Sequence, residues 1–137
     1  MKKPFSILLL LFWMCLIFYF SHQAGDESTD LSSNLVNFIV SLFSFVKPYA
    51  ETLTFIVRKS AHFFLYFFLG ILTINLILEH NIYPKKRILI AFVFCLLYAI
   101  SDEIHQSFIP GRSGNIVDVL IDSAGSISGI LFFLKIK

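Results

Sequence analysis

The stretch RILIAFVFCLLYAISDEIHQSFIPGR, residues 87–112, has two halves of opposite character. From Ile88 to Leu97 every side chain is apolar; from Tyr98 onward the run takes up Asp102, Glu103, His105 and Gln106, until Pro110 and Gly111 end it. At ~1.5 Å per residue, a helix over 88–107 crosses roughly 30 Å, the thickness of a bilayer's hydrocarbon core. Ionisable groups on such a helix are costly, so their presence points to a functional site whose partners lie elsewhere in the chain.

Working outward, three more runs fit the same length rule: 5–20, which follows Lys2 and Lys3, then 53–78 and 116–134. With 57% hydrophobic and 15% charged residues, the chain lies outside the range of a soluble domain. The fold class is all-α integral membrane, a four-transmembrane-helix bundle forming a single domain over 1–137. Residues 1–52 make an N-terminal anchor helix and an external amphipathic segment. We read the first run as an uncleaved anchor rather than a secretory signal, because it is long and the small residues after it are poorly placed for cleavage. Between 31 and 46, Asn34, Asn37, Ser41 and Ser44 recur at helical spacing opposite Leu35, Phe38, Ile39, Leu42, Phe45 and Val46. That pattern predicts an interfacial helix ended by Pro48, or one packed on the bundle through the same apolar face. Cys15 and Cys95 fall inside apolar runs and offer neither a disulfide framework nor metal-type spacing. The net charge of +2 is small, and no basic patch with interleaved aromatics indicates a nucleic-acid partner.

Residues three and four apart share a helix face, and this arithmetic gathers the polar side chains into stripes. Arg58, His62 and Tyr66 form one, with Lys59 beside it; Tyr98, Asp102 and His105 to Gln106 form another. Asp118 and Asp122 form a third, continuing into Gly125 and Gly129 at a small-xxx-small spacing that admits a close neighbouring helix. The stripes share one end of their helices, within roughly 5 to 10 Å of one membrane boundary, and predict a common site there. Plainer readings compete. Lys59 and Arg58 are also suited to snorkel as interfacial anchors, and His62 to bridge helices by hydrogen bonding. Asp118 falls three residues after Asn115, where a capping-box carboxylate belongs. Asp102 and Glu103, at the C-terminal end of a helix, oppose its dipole, which asks for a compensating cation or ligand. The turn at Pro110 and Gly111 can return Arg112 over them.

Three blocks, RKSAHFFLYFFLG (58–70), YAISDEIHQSFIPGR (98–112) and DVLIDSAGSISG (118–129), together resemble the signature blocks of the VanZ-like membrane protein family. The resemblance implies a small multi-pass protein, and the founding member is associated with resistance to the glycopeptide teicoplanin; it supplies no reaction.

Three function classes follow. As an enzyme on a lipid-linked or cell-envelope anion, the chain would use Arg58, Lys59, Tyr66, Gln106, Arg112 and Asp118 to bind substrate. His62, Asp102, Glu103, His105 and Asp122 would carry acid–base chemistry, with His62 or His105 as the proton carrier. A divalent cation held by Asp102, Glu103, Asp118 and Asp122 with a His is a further reading within this class, although no compact metal signature is present. As a binding protein, the same pocket would capture an envelope lipid headgroup or an antibiotic. As a scaffold, the charges would only lock helices together, a role buried ion networks serve poorly.

Lys85, Lys86, Arg87, Lys135 and Lys137 place both termini and the 80–87 loop in the cytoplasm, and the polar site outside. A cysteine introduced at Ser113 should therefore label with a membrane-impermeant maleimide in intact cells. Labelling only after permeabilisation reverses the orientation.

Overall fold

The computed structural model describes residues 3–80 and 82–137, so Lys2 and Asn81 lie outside it, as do the side chains of Lys3, Asp26, Glu27, Ser28, Pro84 and Lys85. The described chain is all-helical. Helices α1 (Lys3–His22) and α2 (Gly25–Leu42) are followed by a 3₁₀ turn (Ser44–Tyr49), and then by α3 (Ala50–Leu78), α4 (Pro84–Gln106) and α5 (Ile116–Ile136). The segments long and apolar enough to cross a membrane are Pro4–His22, Ser44–Leu78, Lys86–Gln106 and Ile116–Ile136, matching the four runs read from the sequence.

Local chemistry sets the boundaries. Pro84 opens α4, where a missing N–H costs nothing. Asn115 caps α5 by accepting a hydrogen bond from the Val117 amide at 3.0 Å. Gly111, with φ of 75°, supplies the left-handed turn between α4 and α5 that side-chain-bearing residues adopt only with strain.

The amphipathic helix exists but is displaced from the expected 31–46. It starts at Gly25 and stops at Leu42, six residues before Pro48, which sits inside the 3₁₀ turn. Its polar first turns carry no apolar periodicity, which hides its start in the sequence. The start is fixed instead by a tertiary bond, as the Gly25 amide donates to Pro110 O at 3.1 Å. Ser32 and Val36 turn inward, whereas Leu31, Leu35, Phe38 and Leu42 are at least half exposed. One edge of the helix therefore packs on α3, and an apolar stripe faces outward.

Helix α3 is the hub, and α5 is its most intimate neighbour. The two run in the same direction with backbones nearly touching. A Cβ on Gly125 would lie 2.3 Å from Phe63 O, one on Gly129 would lie 2.0 Å from Phe67 O, and one on Gly70 would lie 2.3 Å from Ser126 O. Helix α1 is tied to the same hub by Trp13 Nε1, which donates to Leu65 O at 2.8 Å, and at its other end by Ser6 Oγ, which donates to Glu79 Oε1 at 2.6 Å. The Tyr98 hydroxyl donates to Met14 O at 2.7 Å and joins α4 to α1. Cys95 is buried, its thiol 3.7 Å from the Thr73 hydroxyl, within the apolar packing of α3 and α4.

Gly129→Ala places a methyl group where a carbonyl oxygen already stands, so α3 and α5 must part. We expect a loss of at least ~1–3 kcal/mol, the usual cost of overpacking. Thermal unfolding in detergent measures it; a variant as stable as the wild type would contradict the backbone contact.

Candidate functional site

The parallel register of α3 and α5 sets two side-chain pairs one turn apart. Lys59 Nζ forms an ion pair with Asp118 Oδ1, the side chains being 16% and 12% exposed. One turn deeper, His62 Nδ1 lies 3.3 Å from Asp122 Oδ1, with exposures of 17% and 1%. The His62 contact has ion-pair distance without hydrogen-bond alignment, and among the described residues Asp122 Oδ1 has no directed donor. Lys59 is thus a paired cation rather than a free anchor. Asp118 is engaged with it, and the capping-box role passes to α4, whose Glu103 Oε1 accepts from the Asn115 amide at 3.1 Å.

Helix α4 brings its polar end against this pair of helices. Asp102 Oδ2 accepts from Gln106 Nε2 at 3.0 Å, one helical turn on, and both side chains are buried. Glu103 Oε2 and the hydroxyl of Tyr66, a residue 1% exposed, have no hydrogen-bond partner among the described residues. His105 departs from its expected place. Three residues beyond Asp102 it has turned about 60° around the helix, toward α1, where its Nε2 lies 3.2 Å from His22 Nδ1 and its ring packs on Phe18. It lines neither of the cavities described next, whereas His62 lines both.

Two chambers open at this end of the bundle. The larger, about 420 Å³, is walled by Trp13, Ile17, Phe20, Leu31, Phe64, Leu65 and Phe68, with the Tyr66 phenol and Asp102 on its polar side. The smaller, about 250 Å³, is polar, lined by Lys59, Asp118, Ser113 and Asn115 beneath the 111–112 backbone. Arg58, His62, Gln106 and Arg112 line both chambers and form the wall between them. Asp122 lines neither and backs His62 from behind. Arg112 Nη2 donates to Phe20 O at 3.2 Å, which draws its guanidinium over the site as the Pro110–Gly111 turn predicts. Among the described residues neither Arg58 nor Arg112 has a carboxylate within 4.0 Å. Burial lowers the Arg112 pKa from its ordinary value; Asp102 opposes the shift and Arg58 adds to it. Two incompletely neutralised guanidiniums therefore face the same space, an arrangement that favours an anion.

The α1 and α2 walls of the larger chamber were not legible in the sequence. Trp13, Ile17 and Phe20 are apolar residues in an apolar helix, and only Ser21 and Gln23 at its end mark the facing side. Among the described residues no three His, Cys, Asp or Glu side chains come together in a way that could hold a metal ion. Asp102, Glu103, Asp118 and Asp122 are spread over separate partners instead of converging.

The Lys59–Asp118 pair should show intermediate coupling. Exposed pairs contribute ~0.2–1 kcal/mol and breaking a buried one costs ~3–5 kcal/mol; these side chains are nearly but not wholly covered. A double-mutant cycle with Lys59→Met and Asp118→Asn, read by thermal unfolding, is expected to give about 1–2 kcal/mol. A coupling near zero would remove the pair from the account of how α3 meets α5.

The three sequence blocks and the helices that bring them together can be set against known proteins. No curated protein and no solved structure shows a match. The VanZ/LLP1 family matches over residues 5–137, covering α1 and α2 as well as the three blocks. By that match, which takes in essentially the whole chain, the protein belongs to the VanZ/LLP1 family.

Proposed function

We propose that this chain is a multi-pass membrane protein that binds an anionic amphiphile, a lipid-linked compound of the cell envelope. The headgroup would lie in the polar chamber against Arg58 and Arg112, and the tail in the apolar chamber. The observation that carries this reading is the shared wall: Arg58, His62, Gln106 and Arg112 face an apolar space on one side and a polar one on the other. A purely polar solute would leave the aromatic chamber unused, and a purely apolar one would leave two guanidiniums without a counter-charge. The positive-inside rule sets the site at the outer face, and the apolar stripe of α2 would rest in the interface beside it. The association of the family's founding member with teicoplanin fits a role in handling envelope lipids that glycopeptides meet.

A non-catalytic binding protein for a lipid headgroup or an antibiotic is the second reading, since the same wall serves capture as well as chemistry. The scaffold reading is weaker, because among the described residues Arg58 and Arg112 have no carboxylate partner of the kind a helix-locking network would give them.

Binding is tested with the full chain in nanodiscs. A lipid phosphate should bind more tightly than a zwitterionic lipid of the same tail. Arg58→Ala and Arg112→Ala should each weaken it about tenfold to a hundredfold, the worth of a charge-assisted hydrogen bond of ~1.5–3 kcal/mol. Unchanged affinity in the double variant, with wild-type thermal stability, defeats the proposal.

A further inference from the structure

The His62–Asp122 pair sits where a lipid headgroup joins its tail. His62 lines both chambers, and its Nδ1 is the nitrogen turned to Asp122. The opposite ring nitrogen, Nε2, is thereby free of Asp122. With its proton on Nδ1 beside the carboxylate, a neutral imidazole carries a lone pair on Nε2, the form a general base requires. Asp122, 1% exposed and lining neither chamber, can touch no ligand and acts through the imidazole alone. At 3.3 Å the contact is long and not aligned, as catalytic hydrogen bonds often are before substrate tightens them.

Charge selects the kind of headgroup. Lys59 is matched by Asp118, whereas Arg58 and Arg112 together offer two positive charges on the shared wall. A terminal phosphate carries nearly two negative charges and presents oxygens that guanidiniums bind in pairs. A phosphodiester carries one charge and leaves one guanidinium uncompensated.

We propose that His62, positioned by Asp122, catalyses hydrolysis of a lipid phosphomonoester at the border of the two chambers, releasing inorganic phosphate and the lipid alcohol. This rests on the anionic-amphiphile reading above and adds a reaction to it. His62 Nε2 takes a proton from water as the water oxygen forms a bond to phosphorus. The bond between phosphorus and the lipid oxygen breaks on the opposite side of phosphorus, the lipid oxygen takes a proton from a water on that side, and the imidazolium returns its proton to the hydroxide so formed through solvent. One phosphomonoester and one water give one alcohol and one phosphate, and no redox partner is needed. Arg58 and Arg112 hold the non-bridging oxygens through the charge redistribution. Asp122 is a positioning residue that keeps the imidazole's proton on Nδ1 and stabilises the imidazolium.

The experiment uses the full chain in nanodiscs with a long-chain polyprenyl monophosphate, with dioleoyl phosphatidic acid as the alternative tail and glycerol phosphate as the tail-less control. Phosphate release and lipid binding are measured together. The wild type should release phosphate from at least one lipid substrate and not from glycerol phosphate, and in ¹⁸O-water the label should appear in phosphate. His62→Ala should lower turnover about 10²- to 10⁴-fold, the range of a lost general base, with partial rescue by added imidazole. Asp122→Asn should lower kcat by at least tenfold with little change in KM and should distort the pH profile of kcat, which a merely structural role would not do. Binding without phosphate release overturns the hydrolysis and leaves the binding reading intact, whereas absence of both overturns the two together. Label in the lipid alcohol, or wild-type turnover by His62→Ala, also overturns the mechanism.

Discussion

The site depends on how closely α3 and α5 can approach. Phe63 and Phe67 present backbone carbonyls to Gly125 and Gly129 at distances that no side chain could share. That approach fixes the register in which Lys59 reaches Asp118 and His62 reaches Asp122. In a lipid-like surrounding, apolar side chains gain little by leaving one neighbour for another, so close packing of small residues is what holds two such helices together. The glycines and the carboxylates lie on one face of α5, and a shift between the helices would part both ion pairs along with the packing.

Around this contact the polar groups are unevenly satisfied. Gln106 serves Asp102, and Glu103 serves the Asn115 amide, yet among the described residues Ser21 Oγ, the Tyr66 hydroxyl, Glu79 Oε2, Glu103 Oε2 and Asp122 Oδ1 have no directed partner. Buried polar groups are ordinarily paired because leaving them unpaired costs free energy. Two of these groups, Ser21 and Tyr66, line the larger chamber, and Glu103 and Asp122 lie on the same end of the bundle, whereas Glu79 Oε2 lies at the other end. At that other end Ser6 Oγ donates to the second carboxylate oxygen, Glu79 Oε1, at 2.6 Å and joins α1 to α3 away from either chamber.

Much of this was legible because it is written in periodicity. The four long helices follow from apolar runs, and the meeting of His62 with Asp122 follows from stripes three and four residues apart. His105 was misplaced because spacing along one helix does not say which neighbour occupies each side, and α1 takes the side His105 faces. The competing capping reading of Asp118 arises because Asn115 stands three residues before it. The amide concerned is claimed by Glu103 from another helix, a tertiary choice that local sequence does not record. The start of α2 and the aromatic wall from α1 were hidden for related reasons. The first depends on Pro110, far along the chain, and the second is made of residues indistinguishable from their neighbours in a membrane-like helix.

The bonds of the α1–α2 elbow carry a consequence for assembly. Gly25 donates to Pro110, Phe20 accepts from Arg112, and Met14 accepts from Tyr98, each joining the first helices to residues more than eighty positions later. A nascent chain emerging from its N-terminus therefore makes α1 and α2 long before their partners exist, and neither chamber can close until the turn after α4 has formed. Assembly is end-loaded: the last quarter of the chain converts a set of inserted helices into a site. A break in synthesis before α5 leaves His62 without Asp122 and Lys59 without Asp118.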